Sequence, residues 1–557
     1  MYQPETHSYK FTALLSDIEQ GLIKIPQFQR EFVWSKEQSA KLMDSIVKGY
    51  PIGTFIFWKT KERLRSIRNI GGIDLPDTPE GDFIQYVLDG QQRMTSLYAS
   101  LRGLKIKREN GKEEDFSEIY IDLLANEDED EDIVITDITD KEEGAFIKLT
   151  ELLNGGLSLA KKYDEKYHEK LEQYDKRIST YDFPVVLIKN SSIDIATEIF
   201  TRINIGGKTL SVFEIMVAKT YDAERDFDLS EQYDKLIDSL SQVDYETISD
   251  ATVLQTVSVC LVKECSKKHI LKLDKQQFID IWDDVVDAIE RAVDYFRGYY
   301  RIPVSRLLPY NSLIVPFAYY FYHHKDKPVG DQQLYLQDYF WRAVLTERFS
   351  SGVETKIAQD IKRIDLVLNN TKPTYEQGVD IRPEAIIQNG WFSAGRSYVK
   401  GFLCILAYKR PLSFNDNSIV HINNNWLKQA NSKNYHHFFP KAYLKKQGKD
   451  EFYINHILNI TIVDDFLNKR EIRANPPAQY MEKFKKVNPS LENTMRTHLI
   501  GDLDEFGIWD NDYDRFLKMR AKSFSKELEK RLIIGNMDTT GSTKIEKGSL
   551  LIDNDNI

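Results

Sequence analysis

Hydrophobic residues follow two different spacings over the first 110 residues, and this pattern predicts a mixed α/β region. Ser35 opens an S-x-x-Q capping box, and apolar residues then recur at helical spacing until Gly49 and Pro51 end the predicted helix. Further helices are predicted over 91–101 and 195–203. Strands are predicted for the β-rich runs 53–58 (GTFIFW), 85–88 (QYVL) and 183–189 (FPVVLIK).

The pattern changes after about residue 210. From there to about 370 it is mostly helical, with many aromatic residues and few glycines, and 391–410 and 514–532 predict two later helices. The stretch 435–470 is mixed again, and 536–557 is polar and predicts a flexible tail. We therefore predict domains over 1–225, 226–385 and 386–535, followed by the tail.

Composition places the chain among soluble globular proteins. Hydrophobic residues make up 41% and charged residues 29%. No apolar run approaches the ~20 residues of a membrane span, and the N-terminus (MYQPETHSYK) has no signal-peptide core, so we expect a cytoplasmic protein. Three cysteines exclude a disulfide scaffold and a zinc site held by cysteines.

Charge is unevenly distributed along the chain. The net charge is −11, yet residues 391–500 hold 17 Lys+Arg against 8 Asp+Glu. A basic segment on an acidic chain is typical of a nucleic-acid contact, with a solvated lysine-rich face as the alternative.

One candidate site follows the second predicted strand, in the string 87–93 (VLDGQQR). A helix that starts directly after a glycine turn offers free N–H groups to a phosphate. Arg93 has the planar fork that suits phosphate oxygens, and Asp89 suits a sugar hydroxyl or a metal. The alternative is a tight strand–helix turn with Arg93 in a salt bridge.

A second candidate site lies in the basic segment. His436 and His437 are adjacent, Asn459 opens a short predicted strand, and Asn468 follows nine residues later. Neighbouring residues of a strand point to opposite faces, so a histidine pair alone is weak support for a site. The two asparagines that follow in sequence, Asn459 and Asn468, strengthen the support for a site.

Both strings resemble known families. The N-terminal order, with IPQFQR at 25–30, resembles the ParB/sulfiredoxin-like nucleotide-binding fold, and still more the GmrSD-type modification-dependent (type IV) restriction endonucleases, including SspE-like defence proteins. Their hallmarks are D-G-Q-Q-R, here 89–93, and F-x-R-x-N-x-G-G, here 200–207. The resemblance implies nucleoside triphosphate binding and hydrolysis, with the nucleotide (GTP, ATP or CTP) left open. It implies these nucleotide-binding residues: Gln27, Arg30, Asp89, Gly90, Gln91, Gln92, Arg93, Arg202 and Asn204.

The C-terminal string resembles the ββα-metal (HNH, or His-Me finger) nuclease domain of the same group, although Phe438 replaces the usual Ile. The resemblance implies that His437 is the general base, that Asn459 orients it, and that His436 and Asn468 bind Mg²⁺ or Mn²⁺. The residues that would contact the DNA backbone are Lys441, Lys469, Arg470 and Arg473.

These resemblances predict a multidomain α+β protein. It would have a ParB/sulfiredoxin-like α/β N-terminal domain, a mostly α-helical middle and a C-terminal ββα-metal (HNH) nuclease embedded in helices. We expect a nucleotide-regulated DNA endonuclease of bacterial anti-phage defence, acting on modified DNA that carries glucosylated hydroxymethylcytosine or phosphorothioate. A homodimer or higher oligomer is left open. The rival functions are a nucleotide-switched DNA-binding protein with a weak or lost nuclease, and a non-selective toxin-like nuclease.

Overall fold

The computed structural model describes residues 4–541 except 27–31, 63, 65, 68, 71–72, 80, 108–111, 127–130, 190, 192, 204–210, 223, 425–434, 464–471 and 473. The chain divides into two compact units, residues 1–229 and 230–557. Its mixed helical and strand content agrees with the predicted α+β class.

The first unit is organised around a mixed sheet of six described strands, in the order β1-β13-β3-β7-β2-β4. Strand β13 pairs in parallel with β3 and antiparallel with β1. The strands of the unit are β1 (Glu5–Lys10), β2 (Ile23–Pro26), β3 (Phe55–Thr60), β4 (Ser66–Ile67), β5 (Asn69–Ile70), β6 (Ile73–Asp74), β7 (Ile84–Asp89), β8 (Lys105–Lys107), β9 (Glu113–Asp115), β10 (Tyr120–Asp122), β11 (Val134–Ile135), β12 (Phe146–Lys148) and β13 (Asp182–Lys189).

Helices of the first unit bury apolar residues in a core that they share with the sheet, including Met43 and Phe57. The predicted capping box is present: Ser35 accepts from the Gln38 backbone N–H, and the Gln38 side chain accepts from that of Ser35. The helices are α1 (Phe11–Glu19), α2 (Lys36–Val47), α3 (Gln91–Arg102), α4 (Leu149–Gly155), α5 (Leu159–Lys162), α6 (Glu165–Ser179), α7 (Ile193–Ile203) and α8 (Val212–Thr220).

The second unit is mostly helical, as predicted. Its aromatic residues form its interior: Tyr300 and Phe340 pack with ring centroids 4.3 Å apart, and both are buried. The first helices are α9 (Leu229–Ser241, which begins at the unit boundary), α10 (Asp250–Val262), α11 (Lys267–Ile270), α12 (Lys275–Gly298), α13 (Ile314–His323), α14 (Gly330–Leu345), α15 (Val353–Leu368), α16 (Pro383–Gln388) and α17 (Ser397–Tyr408).

A small hairpin is inserted after α17. Strand β14 (Tyr435–His437) pairs antiparallel with β15 (Ile460–Ile462), and two short helices, α18 (Lys441–Lys446) and α19 (Glu451–Ile454), connect them. Helices α20 (Pro477–Val487), α21 (Leu491–Thr497) and α22 (Tyr513–Glu529) follow. Among the described residues, none of the helices is both long and apolar enough to cross a membrane.

The first residues of the predicted flexible tail, 536–541, contact the second unit. The Asp538 side chain is buried and forms an ion pair with Arg342, and it also accepts from the backbone N–H of Val379. Thr539 forms a β-bridge with Asp380. These contacts hold 536–541 against the second unit, because a buried carboxylate needs its cation and hydrogen-bond donors. Residues 542–557 lie outside the described residues.

Candidate functional site

The β14–β15 hairpin determines how the two adjacent histidines differ. His436 lies opposite Thr461 and His437 lies opposite Ile460 in the antiparallel register. Because successive residues of a strand face opposite sides, one ring enters the interior and the other lies at the edge of the hairpin. His436 is only 2% exposed, whereas His437 is half-buried.

A loop asparagine holds His437. His437 Nε2 lies 3.1 Å from Asn455 Oδ1, and Asn455 Nδ2 donates to the Phe392 carbonyl at 3.0 Å. Since the amide nitrogen is used on Phe392, the amide oxygen faces the imidazole, and Nε2 must carry the proton. The neutral ring then presents an unprotonated Nδ1, for which no hydrogen-bond partner occurs among the described residues.

Electrostatics keep His437 neutral. Burial, followed by the nearby Lys441 ammonium, lowers its pKa to about 4, and the bond to Asn455 opposes this shift. Burial also lowers the pKa of Lys441 itself, which is half-buried at the start of α18. A ring that is neutral at pH 7 can accept a proton, as a general base must.

Asn459 has a different role from the predicted one. Its side chain accepts from the Phe439 backbone N–H at 2.8 Å and donates to the Phe439 and Ile454 carbonyls. None of its bonds within the described chain reaches His437; Asn459 instead holds the loop that carries Asn455. Sequence reasoning missed Asn455, because two asparagines four residues apart have the same chemistry.

His436 lies among aromatic rings. Its Nδ1 is 3.1 Å from Thr461 Oγ1, and its ring meets those of Phe414 and Tyr480 edge-on. Burial, with the neighbouring His437 and His498 adding to it, lowers its pKa to about 3. The predicted role of His436 as a metal ligand would use Nε2, because Nδ1 is bonded to Thr461.

A second buried histidine supports the loop from behind. His456, fully buried, has Nε2 2.9 Å from the Ile387 carbonyl, and its Nδ1 accepts from the Leu458 N–H. Both ring nitrogens are therefore satisfied in one neutral tautomer. A side chain at Gly390 would come within 2.0 Å of this ring, so only glycine fits there without displacement.

Arg520 of α22 braces the same loop. It is fully buried, donates to the Leu458 carbonyl at 2.5 Å and to the His498 carbonyl at 2.9 Å, and packs over Phe516 and Phe524. Burial lowers its pKa to about 9. The guanidinium joins the loop between α19 and β15 to the end of α21.

Several predicted site residues lie outside the described chain. These are Asn468, Lys469, Arg470 and Arg473. Within the part that is described, no group of three or more His, Cys, Asp or Glu side chains could hold a metal ion. The metal prediction therefore depends on His436 Nε2 and on Asn468, which lies outside the described chain.

The N-terminal motif forms the start of α3, as predicted, but its arginine is occupied by the protein. Arg93 donates to the Ile52 and Thr54 carbonyls at 2.8 and 3.0 Å, and it bonds Asp89 at 3.1 Å. Its guanidinium also packs over the Phe55 ring. The salt bridge of the alternative interpretation is therefore present.

The glutamines of the motif are buried. Gln92 accepts from the Val33 backbone N–H and donates to Gln91, which ties the strand-to-helix turn to the chain that follows 27–31. Gly90 has a φ of 91°, and no side chain within the described chain caps α3. Arg202 is exposed and pairs with Glu198. Gln27, Arg30 and Asn204 are not among the described residues.

Comparison with known proteins agrees with the motifs over the first unit. An uncharacterized protein of Methanocaldococcus jannaschii is 24% identical over 582 aligned positions, which cover 91% of this chain and 96% of the relative. Residues 11–221 match the family model of the GmrSD restriction endonuclease, N-terminal domain. This part of the chain is therefore similar to the N-terminal domain of the GmrSD restriction endonucleases, in support of the resemblance predicted from its motifs.

Proposed function

We propose that this protein is a nucleotide-regulated, modification-dependent DNA endonuclease that acts in the cytoplasm against phage or other foreign DNA. The similarity of residues 11–221 to a restriction endonuclease domain supports the general class. The arrangement around His437 supports the chemistry, because it holds an imidazole in one tautomer at the edge of a lysine-bearing hairpin.

The fixed tautomer of His437 is the observation that carries this proposal. Its Nδ1 takes a proton from water, the resulting hydroxide attacks the phosphorus, and the bond to the leaving oxygen breaks as that oxygen acquires a proton from solvent. Burial makes His437 a weak base in the free protein. A DNA phosphate beside the ring raises its pKa, because the anion stabilises the imidazolium.

A divalent cation, Mg²⁺ or Mn²⁺, would stabilise charge on the phosphate and the leaving oxygen. We assign His436, through Nε2, and Asn468 as its protein ligands. Lys441, Lys469, Arg470 and Arg473 attract the DNA backbone without reading its sequence. Of these, Lys441 is described and lies close enough to depress the pKa of His437.

The nucleotide site is proposed at the start of α3. Backbone N–H groups of residues 91–93 bind the phosphates of GTP, ATP or CTP, and Gly90 lets them approach. Arg93 acts here through position: its bonds to Ile52 and Thr54 hold the neighbouring loop. Gln27, Arg30, Arg202 and Asn204 complete the site. Nucleotide state and assembly into a homodimer or larger oligomer control cutting.

The test is cleavage of plain, glucosylated and phosphorothioate DNA, with and without each nucleotide, in Mg²⁺ and in Mn²⁺. Wild type should cut one modified DNA preferentially, and His437→Ala should not cut. His421→Ala, which changes an exposed ring of the same unit, is the matched control. Binding without cleavage would establish the nucleotide-switched binder instead. Equal cleavage of all DNAs would establish the non-selective nuclease.

A further inference from the structure

An exposed aromatic stack lies on the second unit beside the candidate base. The Trp391 ring is 40% exposed and packs on Phe452, with centroids 6.3 Å apart and planes 23° from parallel. Tyr453, 41% exposed, lies next to Phe452 along α19. Large aromatic faces left in water are typical of binding surfaces.

The backbone holds Trp391 rigidly although its ring is exposed. Trp391 forms an antiparallel bridge with His456, and the Ile457 N–H donates to the Gly390 carbonyl at 2.7 Å. The Phe392 N–H donates to the Asn455 carbonyl at 2.8 Å. His456 is itself fixed at both ring nitrogens, so the Trp391 backbone is held in place before any ligand binds. This lowers the entropic cost of binding.

The same connection reaches the candidate base. Asn455, which bonds both polar groups of the Phe392 backbone, also holds His437 Nε2. The Phe392 ring lies 6.4 Å from the His437 ring. Trp391 is the next residue along the chain, so the stack and the base belong to one small rigid assembly.

A cation lies at the start of the helix that carries Phe452. Lys445, exposed at the end of α18, pairs there with Glu451. An aromatic face near a lysine suits a ligand with a π-face and an anionic backbone. A nucleic acid strand has both.

We propose that the Trp391–Phe452 stack binds an unpaired nucleobase next to the scissile phosphate. In a duplex, neighbouring pairs cover the faces of every base, so only a single-stranded or extruded nucleotide can lie on this surface. The inference deepens the proposed nuclease function, on which it rests. It gives the substrate as DNA with an unpaired nucleotide at the cleavage point.

The test measures binding separately from cleavage. In the full-length His437→Ala protein, affinity is measured for a single-stranded oligonucleotide, the same strand carrying one abasic position, and the duplex. Trp391→Ala and Trp391→Leu should weaken single-strand binding roughly 10- to 100-fold, the range expected for loss of one stacked base. Trp391→Phe, which keeps a π-face, should stay within about threefold of the parent. Val329→Ala, at an exposed apolar residue of the same unit, should change nothing.

Single-strand binding that is unchanged in Trp391→Ala overturns the inference, as does an equal loss of duplex and single-strand affinity. The Trp391→Leu variant separates π-stacking from apolar bulk. If it binds the single strand as tightly as Trp391→Phe does, the inference is overturned as well. Circular dichroism and the melting temperature check that each variant folds. If wild type does not cut DNA while Trp391 still governs single-strand binding, the nuclease function fails and the stacking surface stands.

Discussion

Asn455 holds His437 through an amide whose other end is already committed to the Phe392 carbonyl. The two bonds, 3.1 and 3.0 Å long, leave one orientation for the amide and one neutral tautomer for the imidazole. The unprotonated Nδ1 therefore results from a contact with a residue that lies 18 positions and two short helices away from the histidine in sequence. This arrangement makes Asn455 a positioning residue with a measurable signature.

Replacing Asn455 should change the pH dependence of cleavage. In Asn455→Asp a carboxylate faces the ring and stabilises the imidazolium, so the pKa of His437 rises and the acidic limb of the rate profile moves to higher pH. Asn455→Ala should lower the rate roughly 10- to 100-fold through misorientation of the base. Asn389→Asp, at an exposed asparagine of the same unit, is the control for added charge. A profile in Asn455→Asp that matches wild type would refute the positioning role.

His436→Ala should separate packing from metal binding. Removing a ring that is 2% exposed among Phe414 and Tyr480 leaves a cavity and should cost about 2 kcal/mol of unfolding free energy. The Mn²⁺ concentration for half-maximal cleavage should also rise, because the variant loses the ring nitrogen that is proposed to bind the cation. A loss of stability with the Mn²⁺ requirement of wild type would leave His436 a packing role only.

Acid should begin to destabilise the second unit at a pH well above the pKa values of carboxylates. Burial lowers the pKa of His456 and of His498 to about 4, and unfolded histidine titrates near ~6.5. Below ~6.5 the unfolded chain takes up protons that the folded chain does not. The stability that the two neutral rings contribute is therefore fully present above that pH and is lost as the pH falls to about 4.

Each ring contributes a slope of about 1.4 kcal/mol per pH unit in that window. Chemical denaturation at several pH values between 7.5 and 5 measures it. His498→Asn should reduce the slope by one such increment, whereas His421→Asn, at an exposed ring, should not. A slope that His498→Asn leaves unchanged would contradict the assignment.

Two glycines close in sequence provide a matched test of the loop. Gly390→Ala would place a methyl 2.0 Å from the His456 ring, which its two hydrogen bonds hold in place, and should cost about 1–3 kcal/mol. Gly395→Ala meets no atom within 4 Å and should be nearly neutral. Thermal unfolding compares them, and cleavage should fall only in Gly390→Ala because His456 adjoins Asn455. Equal melting temperatures would show that the loop is not tightly packed.

Replacing Arg93 tests the N-terminal motif, again with a matched control variant. Arg93→Ala removes donors from the Ile52 and Thr54 carbonyls and should destabilise the first unit by about 2 kcal/mol even without nucleotide. Arg102→Ala, on the same helix, breaks a more exposed pair with Glu19 and should cost less than about 1 kcal/mol. Melting temperatures and triphosphate hydrolysis are compared. Hydrolysis that persists unaltered in Arg93→Ala would refute the nucleotide site.

Local elements were predictable wherever neighbouring residues supply the interactions. The capping box at Ser35, the glycine turn before α3 and the strand over 183–189 each depend on spacing within a few residues. The helix predicted over 391–410 begins only at Ser397. Residues 391–392 are held instead by backbone bonds to Asn455 and His456, which no local pattern encodes.

The amino-acid order by itself determined which side chains were available: an adjacent histidine pair on a short strand, asparagines downstream, and a glycine-started helix with its arginine. Their roles depended on residues brought from far along the chain. Thr461 and Phe414 enclose His436, Asn455 rather than Asn459 reaches His437, and two carbonyls at 52 and 54 occupy Arg93. Burial and hydrogen-bond satisfaction are properties of that three-dimensional neighbourhood, so only the tertiary structure could decide which polar groups are bonded within the protein and which stay open for chemistry.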